Sequence, residues 1–188
     1  MNIRGIRVIV LITVVTILVM VGIFLFISGY NAISHSETTV TWKNGDTLVN
    51  TVFYKPHLEE DQIVFGEYLP YGKVWKTSDK EPAIFSTNKN LVVDGSYLKA
   101  GNYTLWSIPM KDSWKIMFNT KEYDLTEDFI EENAYDPDFD ALVIQRPVTK
   151  NYAPLEELTM YFTSAFDQHI LIIAWQETAV HIPFTFAE

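Results

Sequence analysis

A single apolar run near the N-terminus constrains this chain more than any other feature of its sequence. Val8 to Ile27 reads VIVLITVVTILVMVGIFLFI and contains no charged residue. In a helix, a run of this length rises about 30 Å, which matches the hydrocarbon thickness of a bilayer. Arg4 and Arg7 precede the run, and the next positive charge is Lys43. The positive-inside rule therefore predicts a cytoplasmic N-terminus and places the rest of the chain outside the cytoplasm.

The expected organisation has four parts: a cytoplasmic N-terminus at residues 1–7, a transmembrane signal anchor at 8–28, a tether at 29–37 and an extracytoplasmic domain at 38–188. In a bacterium with two membranes that domain would be periplasmic. A cleaved secretory signal is the alternative, because Ala32-Ile33-Ser34 offers a cleavage site before His35. The run is longer than the apolar core of most signal peptides, which favours the uncleaved anchor.

The part of the chain after the run is strongly acidic and contains no cysteine. All 24 acidic residues lie after residue 36, together with 12 of the 14 basic residues, which gives this part a formal charge of −12. Such a charge repels phosphate backbones and argues against nucleic acid as a partner. Without cysteine, disulfides and thiolate metal sites are excluded. The motifs GxSxG, GxGxxG, HExxH and the P-loop are also absent. We therefore expect no metal site and no cofactor.

Short alternating runs separated by turn dipeptides predict an all-β domain. Asn44-Gly45 lies between Thr38–Lys43 and Thr47–Tyr54, which is the strongest short-range signal for a hairpin. About nine short strands at this spacing are typical of a β-sandwich-like fold, such as a jelly roll, or of an open barrel. The one helical candidate in the domain is Asp124 to Ala134, which begins with capping-box spacing. The later strands are expected to begin at Leu91, Asn102, Trp114, Ala141, Glu157, His169 and Ala179.

Two long segments carry a family resemblance. FGEYLPYGKVWKTSDKEPAIFST, followed by VDGSYLKAGNYTLWSIPMKDSWKIMFN, closely resembles the uncharacterised bacterial family known as domain of unknown function 2911. The resemblance covers roughly residues 40 to 186. It implies an exported or envelope setting and an all-β fold, and it supplies no activity.

Several positions depart from the family pattern within the first segment. The residues that match the pattern include Trp75 and Glu81, whereas Lys76 stands where the family has arginine and Ser78-Asp79-Lys80 stands where it has Gly-Ala-Asn. Arginine and lysine are not interchangeable where a planar guanidinium must grip a carboxylate. If the family builds a ligand site on that arginine and asparagine, this chain binds a different ligand or none.

The segment Pro70 to Phe85 is therefore the candidate site. We expect a strand–loop–strand unit in which Trp75 fills the core and the polar loop Lys76 to Glu81 lies at the rim of the domain. Pro70-Tyr71-Gly72 is turn chemistry. Glu81 either braces the amides of the loop or holds a ligand, and both interpretations remain open. The binding candidates are Tyr71, Trp75, Lys76, Asp79 and Glu81.

Three functional hypotheses follow from these features. The leading one is a membrane-anchored extracytoplasmic binding or accessory module, which contacts the bilayer through residues 8–28 and serves a membrane-protein complex as a small subunit. The second is an envelope enzyme that uses Lys76, Asp79 and Glu81 as acid–base groups. The third is a structural envelope protein. The sequence identifies neither a ligand nor a reaction.

Overall fold

The computed structural model describes residues 12–25, 37–58, 62–123 and 134–187. The chain divides into two compact units, Met1–Ser36 and Glu37–Glu188. In the first unit, residues 12–25 form helix α1, and every one of these side chains is exposed. Within the described ranges, no helix combines the length and the apolar character that a membrane crossing requires. The other positions of the expected span, residues 29–36 of the expected tether and residues 124–133 of the expected helix lie outside the described residues.

The second unit consists mainly of antiparallel strands, as the alternating runs predict. The strands form one nine-stranded sheet in the order β1-β2-β3-β6-β7-β8-β9-β4-β5. A short 3-10 helix, Pro137–Phe139, precedes β8. The strands are β1 (Glu37–Asn44), β2 (Thr47–Tyr54), β3 (Ala83–Thr87), β4 (Leu91–Val93), β5 (Ser96–Leu98), β6 (Gly101–Pro109), β7 (Ser113–Asn119), β8 (Asp140–Ala165) and β9 (Gln168–Phe186).

Two hairpin turns lie at glycine-containing dipeptides of the sequence. Asn44 pairs with Thr47, so Gly45 and Asp46 form the two-residue loop between β1 and β2, with a positive φ of 56° at Gly45. Asp94 and Gly95 join β4 to β5 with φ values of 49° and 82°. Positive φ at both central residues defines the type I′ turn, which Asp-Gly favours because its twist matches that of the flanking strands.

The strand boundaries differ from the sequence-based expectation in two ways. β5 was not expected, because Ser96–Leu98 shows no clear apolar alternation. The expected strand–loop–strand unit is present in part: β3 is its second strand, whereas the segment before the loop forms only an isolated bridge at Trp75. The expected strands at Ala141 and Glu157 are one long strand, β8, which leaves β7 after Pro147 and then pairs with β9. Register shifts between Lys150 and Thr159 bend this strand without ending it. The expected strands at His169 and Ala179 likewise merge into β9. The residues at the prolines and at the bulge within these two strands were therefore interpreted as strand ends.

One core connects strands that are far apart in the sheet order. Its buried members include Phe53 and Phe85 on β2 and β3 and Phe184 on β9. Trp42 on β1 lies 4.3 Å from His169 and 5.1 Å from Phe186, measured between ring centroids, and both of these residues belong to β9. The edge strand β1 therefore lies against a strand near the opposite end of the order, and the sheet curls around a shared interior.

Candidate functional site

The candidate segment enters the core at Trp75. The Trp75 N–H donates to the Ser107 carbonyl at 2.7 Å, and the Ser107 N–H donates back at 2.8 Å, which forms an isolated bridge to β6. The side chain is 5% exposed, and its Nε1 donates to the Ser78 carbonyl at 3.1 Å. Its ring centroid lies 5.8 Å from that of Trp114 and 6.3 Å from that of Trp175. The expectation that Trp75 fills the core is confirmed.

The polar residues after Trp75 are buried, and their expected position at the rim is wrong. Lys76, Thr77 and Ser78 expose 2%, 0% and 1% of their surface. The Ser78 hydroxyl accepts a hydrogen bond from the Tyr54 N–H at 2.7 Å and donates to the Tyr54 carbonyl at 3.3 Å. The Thr77 hydroxyl donates to the Ser107 hydroxyl at 2.9 Å. Because these polar groups have partners on β2 and β6, the interior accepts them.

Lys76 stabilises the loop that follows it. Its Nζ donates to the Lys80 carbonyl at 3.3 Å, and its own carbonyl accepts from the Ala83 N–H at 3.0 Å. The loop thus closes on itself before β3 begins at Ala83. The Lys76 ammonium thus serves as a hydrogen-bond donor to the backbone of its own loop.

The two acidic candidates occupy different surroundings. The Asp79 N–H donates to the Tyr54 carbonyl at 3.1 Å, and its Oδ1 accepts from the Tyr68 hydroxyl at 3.4 Å. Glu81 is half-buried, and none of the hydrogen bonds found among the described residues reaches its carboxylate. Burial raises the pKa of Glu81, and the charge of Glu37 adds to this effect, while Lys80 and Lys76 oppose it. Backbone bracing by the Glu81 carboxylate therefore finds no support in these contacts.

Two residues beside Glu81 escaped the sequence-based reasoning. The Tyr54 hydroxyl donates to Glu37 Oε2 at 3.0 Å. Burial raises the pKa of Tyr54 to about 12, with further contributions from the hydrogen bond to Glu37 and the charges of Glu81 and Glu37. These residues come from the two ends of the β1–β2 hairpin, at Glu37 and Tyr54, which are register partners. To place Glu37, Tyr54 and Glu81 close together, the sequence would have had to reveal the register of the β1–β2 hairpin and the pairing of β3 with β2.

A cavity of about 430 Å³ has Trp75 in its lining. Its apolar walls are Leu69, Pro70, Val74, Trp75 and Pro109. Its polar side chains are Tyr68 and Lys73.

The fifth candidate, Tyr71, lies next to this cavity without lining it. Tyr71 is 39% exposed. A Cβ at Gly66 would lie 3.2 Å from Tyr71 Cε2, and Gly66 has a φ of 101°. Both facts favour glycine there, because a side chain would be strained by the backbone and would press on the Tyr71 ring. Tyr71 therefore helps to shape the turn that borders the cavity.

The structure separates the candidates into two groups. Trp75 belongs to the cavity, whereas Lys76 and Glu81 lie towards Tyr54 and Glu37, and Asp79 connects to Tyr68. Among the described hydrogen bonds and ion pairs, none joins two of the three acid–base candidates Lys76, Asp79 and Glu81 to each other. In the described ranges, no three His, Asp or Glu side chains lie close enough together to hold a metal ion.

The comparisons with known proteins agree with the segment motifs. A family model described as "Protein of unknown function (DUF2911)" matches residues 35–184. Neither the curated proteins nor the solved structures contain a match to this chain. Because the family model covers most of the chain, this protein belongs to the DUF2911 family.

Proposed function

We propose that this protein is a membrane-anchored extracytoplasmic binding or accessory module. Residues 8–28 serve as the anchor in this proposal, and the second unit lies outside the cytoplasm. The anchor is supported by the uncharged apolar run, by the basic residues before it and by the exposure of the apolar side chains of α1. Topology is open to a direct test. Protease added to cells with an intact inner membrane should digest the C-terminal domain and spare an N-terminal tag, and the reverse pattern would contradict the orientation.

The second unit is a β-sandwich-like domain in this proposal. The contacts of Trp42 with His169 and Phe186 support it, because they join the first strand of the sheet order to a strand near its other end. The shared core, with buried side chains from both halves of the order, supports it as well. Such a domain offers rigid loops at its ends, where binding sites are commonly built.

The observation that carries the binding role is the cavity beside Trp75. The backbone of the segment that lines it is held by hydrogen bonds to β6. Ser78, which follows Trp75 in the chain, is buried and hydrogen-bonded to β2. A cavity with walls that are fixed before a ligand arrives loses little conformational entropy on binding. Apolar walls with a few polar side chains are the usual composition of a small-molecule site.

The position of Glu37 supports a partner close to the membrane. Glu37 is the first residue of β1, where the chain enters the second unit, and it accepts the hydrogen bond of Tyr54 beside Glu81. An anchored domain would hold this end within reach of a neighbouring membrane protein, because a tether of about ten residues extends no further than roughly 35 Å.

Co-purification tests the binding role. The tagged full chain is extracted in mild detergent, and the species that elute with it are identified for the wild type, for Lys73→Ala at the cavity and for Lys89→Ala at an exposed site elsewhere. We expect one defined species in a fixed ratio, retained by Lys89→Ala and reduced by Lys73→Ala at an unchanged melting temperature. A wild-type protein that elutes alone, or a species that both variants retain equally, would contradict a binding role for this cavity.

The envelope-enzyme hypothesis has one observation in its favour, the raised pKa of Glu81, because catalytic acids are often carboxylates with raised pKa values. The burial of Lys76 and the engagement of Asp79 with Tyr68 count against a shared catalytic role for the three residues. The binding role is therefore the better supported of the two.

A further inference from the structure

We propose that the cavity beside Trp75 binds a small organic monocarboxylate with a compact apolar body, whose carboxylate is held by Lys73 at the mouth. This inference rests on the binding role proposed above and names the ligand class of the same site.

The shape of the cavity limits the size of the ligand. Its volume of about 430 Å³ lies near the lower end of the range for small-molecule sites, roughly 300–1,000 Å³. The apolar lining consists of Trp75, Pro70, Pro109, Leu69 and Val74, of which Trp75 and Leu69 are only 5% and 6% exposed. A small, compact apolar ligand packs well against such a lining, because many weak contacts form at once. The site thus fits a single ring or a short branched chain.

Both walls of the cavity are held in place by the backbone. Trp75 is fixed by its bridge to Ser107, at 2.7 and 2.8 Å. On the other side, the Gly72 N–H donates to the Pro109 carbonyl at 2.8 Å, and the Lys73 N–H donates to the Pro70 carbonyl at 3.4 Å. Gly72 has a φ of 75°, which allows this tight turn. Lys73 is therefore carried at the mouth by a constrained turn.

The charged side chains of the lining determine whether an anion or a cation fits the cavity. Among the described residues, Lys73 forms no ion pair, whereas Lys55, Arg146 and Lys150 each contact a carboxylate. The Tyr68 hydroxyl already donates its proton to Asp79, at 3.4 Å. Of the described residues in the lining, Lys73 is thus the one charged side chain with donors to offer an incoming anion. The formal charge of −12 beyond residue 36 disfavours polyanions, so a single carboxylate suits the site better than a phosphate ester.

A second, larger groove provides an internal contrast. It measures about 630 Å³ and includes Glu156, Glu157 and His57 in its lining. Lys55, which precedes the lining residue Pro56 in the chain, is paired with Glu157 at 2.7 Å. Among the described residues that line this groove there is no lysine or arginine, and the groove should not contribute to the binding of an organic anion.

The experiment compares three ring compounds of nearly equal size and different charge. Benzoate, benzamide and benzylamine are titrated by calorimetry into the full chain in the same detergent. We expect benzoate to bind at least tenfold more tightly than benzamide and benzylamine to show no measurable binding. Lys73→Met should remove the preference of benzoate over benzamide and leave the affinity for benzamide unchanged. Lys73→Arg should retain the preference, because it keeps the charge at the mouth, and Lys89→Met should behave as the wild type.

Equal affinities for benzoate and benzamide, an undiminished preference in Lys73→Met, or no heat with any of the three compounds would each overturn the proposal. If none of the compounds binds but a defined species still co-purifies in a Lys73-dependent way, the ligand class is wrong and the binding role stands. If no species co-purifies and no compound binds, the proposed function itself fails.

Discussion

Two short segments of this domain invert the usual relation between polarity and burial. The polar residues Lys76, Thr77 and Ser78 are almost completely buried, whereas Phe166, at the tip of the β8–β9 hairpin, is 104% exposed. Both segments contain a non-glycine residue with positive φ, at 55° for Thr77 and 56° for Phe166. Such a conformation is strained for a β-branched or bulky side chain.

The two segments differ in the contacts that keep the residue with positive φ in its conformation. The segment around Thr77 is tied to β2 and β6 by the hydrogen bonds of Ser78 with Tyr54 and of Thr77 with Ser107. Phe166 lies between Ala165 and Gln168, the last register pair of the hairpin, and its ring packs on nothing. At Thr77 the strained backbone conformation is held by several contacts, which is typical of a site that must keep one shape. At Phe166 the strained conformation is held only by the pairing of the β8–β9 hairpin.

The largest effect should come from removing the ring that anchors the buried segment. Trp75→Ala should lower the free energy of unfolding by about 3–5 kcal/mol, because it deletes a buried indole and leaves a void. Chemical denaturation of the second unit measures this. Tyr97→Ala, at a 59% exposed residue of β5, is the control and should change the free energy by less than about 0.5 kcal/mol. A similar effect of both substitutions would mean that Trp75 is not a core residue.

The next prediction concerns the hydrogen bonds that allow the segment to be buried. Ser78→Ala should cost about 1–3 kcal/mol, because the Tyr54 N–H loses the hydroxyl that accepts its hydrogen bond, while the Tyr54 carbonyl keeps only the bond from the Asp79 N–H. Ser96→Ala, at an exposed position of β5, should be nearly neutral. If Ser78→Ala is also neutral, hydrogen-bond satisfaction does not explain the burial of this segment.

The exposed segment should respond in the opposite direction. Phe166→Gly should raise the free energy of unfolding by roughly 1 kcal/mol, because glycine adopts positive φ without strain and no packing is lost. Phe166→Ala keeps the Cβ and its strain, and it should leave stability nearly unchanged. Melting curves of the two variants separate the backbone from the side chain. A loss of stability in both would show that the Phe166 ring makes favourable contacts.

The smallest effect should be found at Glu81, and it should depend on pH. Because burial raises the pKa of Glu81 above 4.5, the folded state binds its proton more readily than the unfolded state does. The charged carboxylate thus costs stability above the folded pKa, and this cost disappears as the pH falls through the folded pKa towards 4.5. Glu81→Gln should melt at the wild-type temperature or slightly above it at pH 7, and the difference should vanish in acid. A lower melting temperature at pH 7 would show that the carboxylate braces the loop. The exposed Glu122→Gln is the control.

Local pattern was sufficient wherever neighbouring residues decide the structure. Asn44-Gly45 predicted the β1–β2 hairpin, and Asp94-Gly95 marked another, because positive φ at a turn is a property of the turn residues themselves. The strand-rich composition predicted an antiparallel β domain, and the motifs around Trp75 identified the family. The alternation rule failed for β5, which shows no clear alternation, and for β8 and β9, where prolines and bulges suggested ends that do not exist.

The burial of Lys76 to Ser78 could be decided only by tertiary structure. Their residue types predict a solvated loop, and the groups that make burial possible, on Tyr54 and Ser107, lie 24 and 30 residues away along the chain. The cavity has the same origin, since Pro109 reaches it from β6 while Lys73 and Trp75 reach it from the loop. Polarity is a property of one residue, whereas satisfaction of a buried polar group depends on which distant backbone the fold brings beside it.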